Sequence, residues 1–260
     1  MSVKNFLHEL WLFGIKQAYA SLFGGFLLSV MIITKYWYPL ESLHRYDFIF
    51  LAAIAFQILL LMTRLETIRE SVVIVVFHAV ATLMELFKTS DAIGSWSYPE
   101  ASFFCLGNVP LFTGFMYSAV GSYITRAWRI FEFRYDHYPN KSYTLVLVLL
   151  IYVNFFTHHY VPDIRWLLLA MTFFMFHKTT IYFKIIISHR HMPLLLGWML
   201  VALFIWLAEN IGTFTNIWIY PNQTMQWQMV SWSKLVSWFL LIQLSFVLVT
   251  LINRLEFNHD

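Results

Sequence analysis

The sequence predicts an all-α polytopic membrane protein with about eight transmembrane helices. Three observations lead there. Charged residues make up only 12% of the 260 residues, while 60% are hydrophobic and 20% aromatic. A water-soluble domain carries about 25% charged residues, so this chain has too little polar surface to cover a globule in water. Several windows of about 20 residues are nearly free of charge, the length that crosses the hydrocarbon core as helix. The apolar runs are also continuous, whereas a membrane β-barrel needs short strands that alternate apolar and polar residues.

Taken in order, residues 3–17 read as an interfacial amphipathic helix, with Phe6, Leu7, Leu10 and Trp11 on its apolar side. His8, Glu9 and Lys16 interrupt any signal-peptide core, despite the Ala18-Tyr19-Ala20 string that resembles a cleavage site. Span one is expected over 18–38, span two over 46–63, span three over 71–88 and span four over 103–125. A basic, aromatic linker runs from Arg126 to Lys141. Span five is expected over 143–160, span six over 164–187, span seven over 193–213 and span eight over 235–253, with a Trp/Gln-rich loop from Phe214 to Lys234 before the last.

Eight spans place both termini on one side, and the bias of Lys and Arg toward cytoplasmic loops selects it. With the N-terminus inside, 11 of the 17 Lys and Arg residues fall on the cytoplasmic side and 5 on the outer side. Both termini are therefore expected in the cytoplasm, and the protein in a cell membrane.

The chain also repeats itself. The stretch from Glu85 to Pro99 begins with a carboxylate near the end of an apolar segment and closes on Trp96-Ser97-Tyr98-Pro99. The stretch from Glu209 to Pro221 does the same and closes on Trp218-Ile219-Tyr220-Pro221. A Glu-Phe pair follows each, Glu132-Phe133 and Glu256-Phe257. These matches suggest two parallel four-span halves: 1–140, comprising the interfacial helix and spans one to four, and 141–260, comprising spans five to eight.

A carboxylate inside a membrane is costly, so such residues usually face the interior and have partners. Glu85 and Glu209 each lie about one turn from the outer end of a span. His78 precedes Glu85 by two helical turns and so shares its face, about 10 Å deeper. Lys88, at i+3 from Glu85, is placed to pair with it. Asn154 and His158 share a face of span five at similar depth, and His177-Lys178 lie deeper in span six. Glu85, Glu209 and His78 are the catalytic candidates. Trp96, Tyr98, Asn108, Asn154, His158, His177, Trp218 and Tyr220 are the substrate-binding candidates. A polar network holding spans three, five and seven together is the structural alternative. Adjacent His158 and His159 point about 100° apart on a regular helix and ligate one metal poorly. The sequence therefore specifies no metal and no cofactor. Cys105, the single cysteine, rules out an internal disulfide. The run His189-Arg190-His191 reads as a lipid headgroup contact, and no basic run interleaved with aromatics suggests nucleic acid.

The stretch His78-Ala79-Val80, Glu85, Thr89, Gly94, Trp96, Tyr98-Pro99, Gly107 to Leu111 and Tyr117 resembles the YoaT-like family of uncharacterised bacterial integral membrane proteins. That resemblance implies membrane location and brings no activity. Over residues 78–118 the order of features is also similar to membrane-bound carotenoid hydratases of the bisanhydrobacterioruberin hydratase type. The matching residues are His78, Glu85, Thr89, Tyr98 and Val109-Pro110-Leu111; Ser90 stands where those enzymes have glycine.

Two functions fit this reading. One is a membrane enzyme that protonates a C=C bond of an apolar isoprenoid or lipid substrate, leading to hydration, isomerisation or cyclisation. Glu85 would be the acid, Glu209 or His78 its partner, and the faces of Trp96 and Trp218 would stabilise the cation. Glu85→Gln is then expected to abolish turnover and leave the fold intact. The other is a small proton-coupled transporter or permease, or a structural membrane protein. Membrane lipid is the expected partner, and the oligomeric state is left open.

Overall fold

The structure, a computed structural model, describes residues 3–187 and 189–253. It is mostly helical. The helices are α1 (Val3–Ala20), α2 (Leu22–Tyr36), α3 (Arg45–Met62), α4 (Ile68–Lys88), α5 (Phe112–Phe131), α6 (Lys141–Thr157), α7 (Arg165–Phe176), α8 (Leu194–Phe214) and α9 (Trp232–Asn253). Four of these, α3, α4, α8 and α9, are long and apolar enough to cross a membrane. A fifth span results if α1 and α2, bent by 74° at Ser21, count as one. That bend has a local cause. Ser21 leaves helical geometry (φ −92°, ψ 11°), and Ser and Gly neighbours are where helices break without proline.

Two expected spans come out differently. Span four does not begin at 103, because a two-strand hairpin, β1 (Cys105–Leu106) and β2 (Val109–Pro110), occupies its start. Gly107, at φ +55°, makes the reversal, a conformation that costs other residues about 1–2 kcal/mol. Residues 112–131 then run as helix into the first six residues of the expected linker. Span six is shorter still. Its helix, α7, has 12 residues, about 18 Å of rise, well short of a bilayer core of about 30 Å. The chain beyond it forms strand β4 (Thr180–Lys184), which pairs antiparallel with β3 (Arg134–Asp136) and β5 (His189–Pro193). The strand segment Thr-Ile-Tyr-Phe-Lys is β-branched and aromatic, with Ile181 and Phe183 buried and their neighbours less so. That period of two suits a half-buried strand, so the protein is not purely α-helical. The expected headgroup loop at His189-Arg190-His191 is strand β5, and Arg190 clasps Glu9 at 2.7 and 3.0 Å.

The described residues group into two compact units, each discontinuous in sequence. Neither follows the sequential halves. One contains the described parts of Met1–Ala20, Ile124–Trp206 and Ser231–Asp260. Its core is aromatic: Phe176 meets Trp198 edge-on at 4.8 Å, and Trp128 stacks on Phe246 at 5.4 Å. The other contains Ser21–Tyr123 and Leu207–Val230. Its core is built on Phe23, Leu27, Met31, Tyr46, Ile49 and Phe112, and it holds both Glu-aromatic motifs. In this unit Thr67 and Glu70 form a reciprocal capping box that starts α4, fixing the helix that carries Glu85. The trailing Glu256-Phe257 pair and Arg254 lie outside the described residues.

Candidate functional site

Glu85 sits one turn before the end of α4 and is 1% exposed. The chain beyond it returns onto the helix end. Gly94, at φ +53°, turns the loop, and the Ser95 N–H donates to the Lys88 carbonyl at 2.9 Å. This return carries two donors to the carboxylate. Trp96 Nε1 donates to Oε2 at 2.8 Å and the Tyr98 hydroxyl to the same oxygen at 2.6 Å. Tyr117, from α5, donates to Oε1 at 2.7 Å. A carboxylate buried among apolar residues is tolerated only when its lone pairs are satisfied, and here three side chains satisfy them.

The second motif is built on the same plan. Glu209, 5% exposed on α8, accepts from the Tyr220 hydroxyl. The six-membered ring of the Trp218 indole presses on Gly212, where any Cβ would collide with it. Burial, reinforced by the neighbouring carboxylate, holds the Tyr98 and Tyr220 hydroxyls well above the ordinary tyrosine value, so both stay protonated donors.

The two motifs are joined at their centres. Ser97 and Ile219, the variable residues of the two Trp-x-Tyr-Pro strings, exchange reciprocal backbone hydrogen bonds of 3.0 and 2.9 Å. Trp96 meets Tyr220 edge-to-face, with centroids 6.2 Å apart. Beside this pairing opens a cleft of about 740 Å³, walled by Trp96, Tyr98, Glu100, Asn108 and Pro221 among others. Trp96 and Tyr98 thus both donate to Glu85 and belong to the cleft lining. Neither Glu85 nor Glu209 lines it.

The remaining candidates fall into place as follows. Asn108 is exposed at the hairpin turn and lines the cleft. His78 packs its ring on Gly114 and lies 4.7 Å from the Phe115 ring. Its Nδ1 is buried with no hydrogen-bond partner among the described residues, and it does not hydrogen-bond Glu85. Lys88 is 2% exposed, with its ammonium 5.9 Å from the centroid of the Phe87 ring. Asn154 and His158 belong to the other unit. Asn154 gives its amide to Asp163 at 3.1 Å and accepts from the Ile164 N–H at 3.1 Å. It pins the α6–α7 turn and is not a ligand of either glutamate. His158 caps α6, its Nδ1 3.0 Å from the Asn154 carbonyl. His177 is exposed at the end of α7, next to the Phe174 carbonyl at 2.8 Å, and not deep in a span. The helix stops there because the strand pattern begins.

Three residues that hold the cleft had no signal of their own in the sequence. Arg45, Tyr46 and Asp47 open α3, where charges at a span's edge look ordinary. Arg45 binds Glu100 at 2.6 Å, Thr34, and the carbonyls of Met31 and Thr215. Tyr46, 0% exposed, donates to the Ile217 carbonyl at 2.8 Å. Asp47, 1% exposed, gathers Ser102 and the N–H groups of Phe103 and Phe104 within 2.7–3.0 Å. Together they tie both motif loops to one helix end.

Helices long and apolar enough to cross a membrane fit an integral membrane protein of unknown function. The chain belongs to the family described as "Protein of unknown function (DUF817)", whose match covers residues 9–246. It is 37% identical over 255 residues to a Bacillus subtilis (strain 168) protein, "Uncharacterized protein YoaT", covering 98% of this chain and 94% of that relative. No solved structure matches.

Proposed function

We propose that this chain is a multi-pass enzyme of the bacterial cell membrane that delivers a proton to a C=C bond of an apolar, isoprenoid or lipid-like substrate. One observation carries this reading: Tyr98 both donates to the enclosed Glu85 and lines the cleft. With Glu85 ionised, the Tyr98 O–H points inward. With Glu85 protonated, its own O–H can donate to the Tyr98 oxygen, and the Tyr98 proton is released toward the cleft. A proton then passes from Glu85 to Tyr98 and from Tyr98 to the substrate carbon. The resulting cation is held by the faces of Trp96 and Tyr98. It ends by adding water, losing a neighbouring proton or closing a ring. Glu209 with Tyr220, bridged to the first motif through Ser97 and Ile219, keeps the donor loop in register.

The pairing of the two motifs also supports an ancestral duplication, and the bias of Lys and Arg supports termini in the cytoplasm. The hydratase-like order of His78, Glu85, Thr89 and Tyr98 points to the same class of reaction.

The three donors around Glu85 change which substitution tests it. In Glu85→Gln an amide would set its own N–H against donors and disturb the fold. Tyr98→Phe keeps the ring and removes only the relay oxygen. Lipid mass spectrometry of deletion, overexpression and Tyr98→Phe strains is the test. A lipid species that follows wild-type expression and is lost in Tyr98→Phe is expected, whereas an unchanged profile in Tyr98→Phe overturns the relay.

A second reading, a small proton-coupled transporter, is favoured by His78. A buried imidazole nitrogen without a partner, two turns from Glu85 on one helix, is a natural proton acceptor in a membrane path. Proton uptake by reconstituted vesicles that is lost in His78→Phe would decide for it.

A further inference from the structure

The depth of the cleft is fixed by the helices that end at it. Thr89 and Ser90, which line the cleft, directly follow the last residue of α4. Asp47, in the first turn of α3, accepts the N–H groups of Phe103 and Phe104 at 2.8 Å and so holds the β1–β2 segment at that helix start. Trp227 Nε1 donates to Thr213 Oγ1 at 3.1 Å, one residue before the end of α8, and its ring meets Phe214 edge-on at 5.6 Å. All three helices are long and apolar enough to cross a membrane. Both loops beside the cleft are thus pegged at the level where apolar helices of spanning length end.

These two loops differ from loops that stand in water. Residues 101–111 and 215–231 contain no Asp, Glu, Lys, Arg or His. Ser102, Cys105, Asn108 and Thr224 line the cleft. Their apolar neighbours do not line it, yet Phe103 is 80% exposed, Leu106 50% and Met225 96%. Trp227 and Met229 are exposed further along. Uncovered apolar side chains grouped in this way mark a protein or membrane contact. Tryptophan at the end of a span marks the boundary between membrane and water, which decides for the membrane. The wall from Thr89 to Gly94 is different, because it carries the exposed carboxylate of Asp91.

We propose that the cleft is sunk in the headgroup layer of the membrane and takes an amphiphilic lipid sideways from the bilayer, between the β1–β2 hairpin and the 221–231 loop, rather than a solute from water. That this lipid is a substrate rests on the enzymatic reading above; the depth of the cleft does not. Phe103, Leu106, Met225 and Trp227 reach the acyl chains. The polar lining from Ser102, Asn108 and Thr224 receives the headgroup. The wall that carries Asp91 meets water.

The test places a nitroxide at one position at a time in the full-length Cys105→Ser chain, reconstituted in vesicles of phosphatidylcholine and phosphatidylglycerol. Phe103→Cys, Met225→Cys and Asp91→Cys all replace exposed side chains and are expected to melt with the parent. Collisions with oxygen, which partitions into lipid, are expected to exceed those with a water-soluble nickel chelate at 103 and 225, and the order to reverse at 91. Nickel predominating at 103 or 225, or one ratio at all three positions, overturns the proposal. Entry of lipid is read separately with bimane on the native Cys105, which is exposed and lines the cleft. Phosphatidylcholine with a nitroxide on its headgroup is expected to quench the bimane at least twofold more than phosphatidylcholine with the nitroxide near the chain end. Equal or weaker quenching by the headgroup nitroxide overturns lipid entry. Neither measurement reads turnover, so the Tyr98→Phe lipid profile and the depth of the cleft fail separately.

Discussion

A single atom separates tolerance from collision at several positions of the site. Gly212 lies under the Trp218 indole, with no room for a Cβ. Two residues after that tryptophan, Tyr220 donates to Glu209. A methyl at 212 must push the ring aside, and forced overpacking costs about 1–3 kcal/mol. Gly197, on the same helix, has only the Met192 sulfur at 3.8 Å near its would-be Cβ. There alanine gains helix propensity and loses nothing, worth about 0.4–1 kcal/mol. Thermal denaturation of the two variants is therefore expected to move in opposite directions, Gly212→Ala down and Gly197→Ala up. If both move together, Gly212 is not placed as described.

The elements around the cleft depend on turns more than on helices. The β1–β2 hairpin reverses at Gly107-Asn108, and Gly107 has φ +55°. Asparagine visits that conformation readily, while a β-branched residue is strained there. Gly107→Asn is expected to be nearly neutral and Gly107→Val to lose about 1–2 kcal/mol, read by chemical or thermal denaturation. Because Gly107 and Cys105 both line the cleft, Gly107→Val is also expected to alter the alkylation rate of Cys105. The helices themselves were legible from their apolar runs, including α3, α4, α8 and α9. The hairpin was not. Residues 103–111 are as apolar as a helix start, and only the positive φ of Gly107 shows why the chain turns. Strand β4 was hidden for the same reason: an apolar run of that length reads equally as buried helix or strand.

For the whole molecule, the proposed arrangement with cytoplasmic termini puts the Trp-x-Tyr-Pro loops and the cleft on the outer face. Cys105 makes this checkable without engineering. A membrane-impermeant maleimide added to intact cells is expected to label the chain fully, before permeabilisation. Labelling only after permeabilisation would invert the topology. The contact grouping cuts across the two sequential halves, because Leu207–Val230 packs with Ser21–Tyr123. The recurrence of Glu, Trp, Tyr and Pro marked both pieces, but not that they pair.

Composition and hydropathy alone determined that the chain is a helical membrane protein. A chain with 12% charged residues cannot be covered in water, and that conclusion needs no geometry. The repeated motif singled out Glu85, Glu209, Trp96, Tyr98, Trp218 and Tyr220 by residue type and order. Tertiary structure alone decided what those residues do to one another. Ser97 and Ile219 are 122 residues apart in sequence, and backbone hydrogen bonds carry no side-chain signature. Nor does the sequence register that Tyr117 arrives from α5, or that Arg45, Tyr46 and Asp47 hold the loops. Each is an ordinary residue at a helix edge until folding spends its polar atoms on a specific partner.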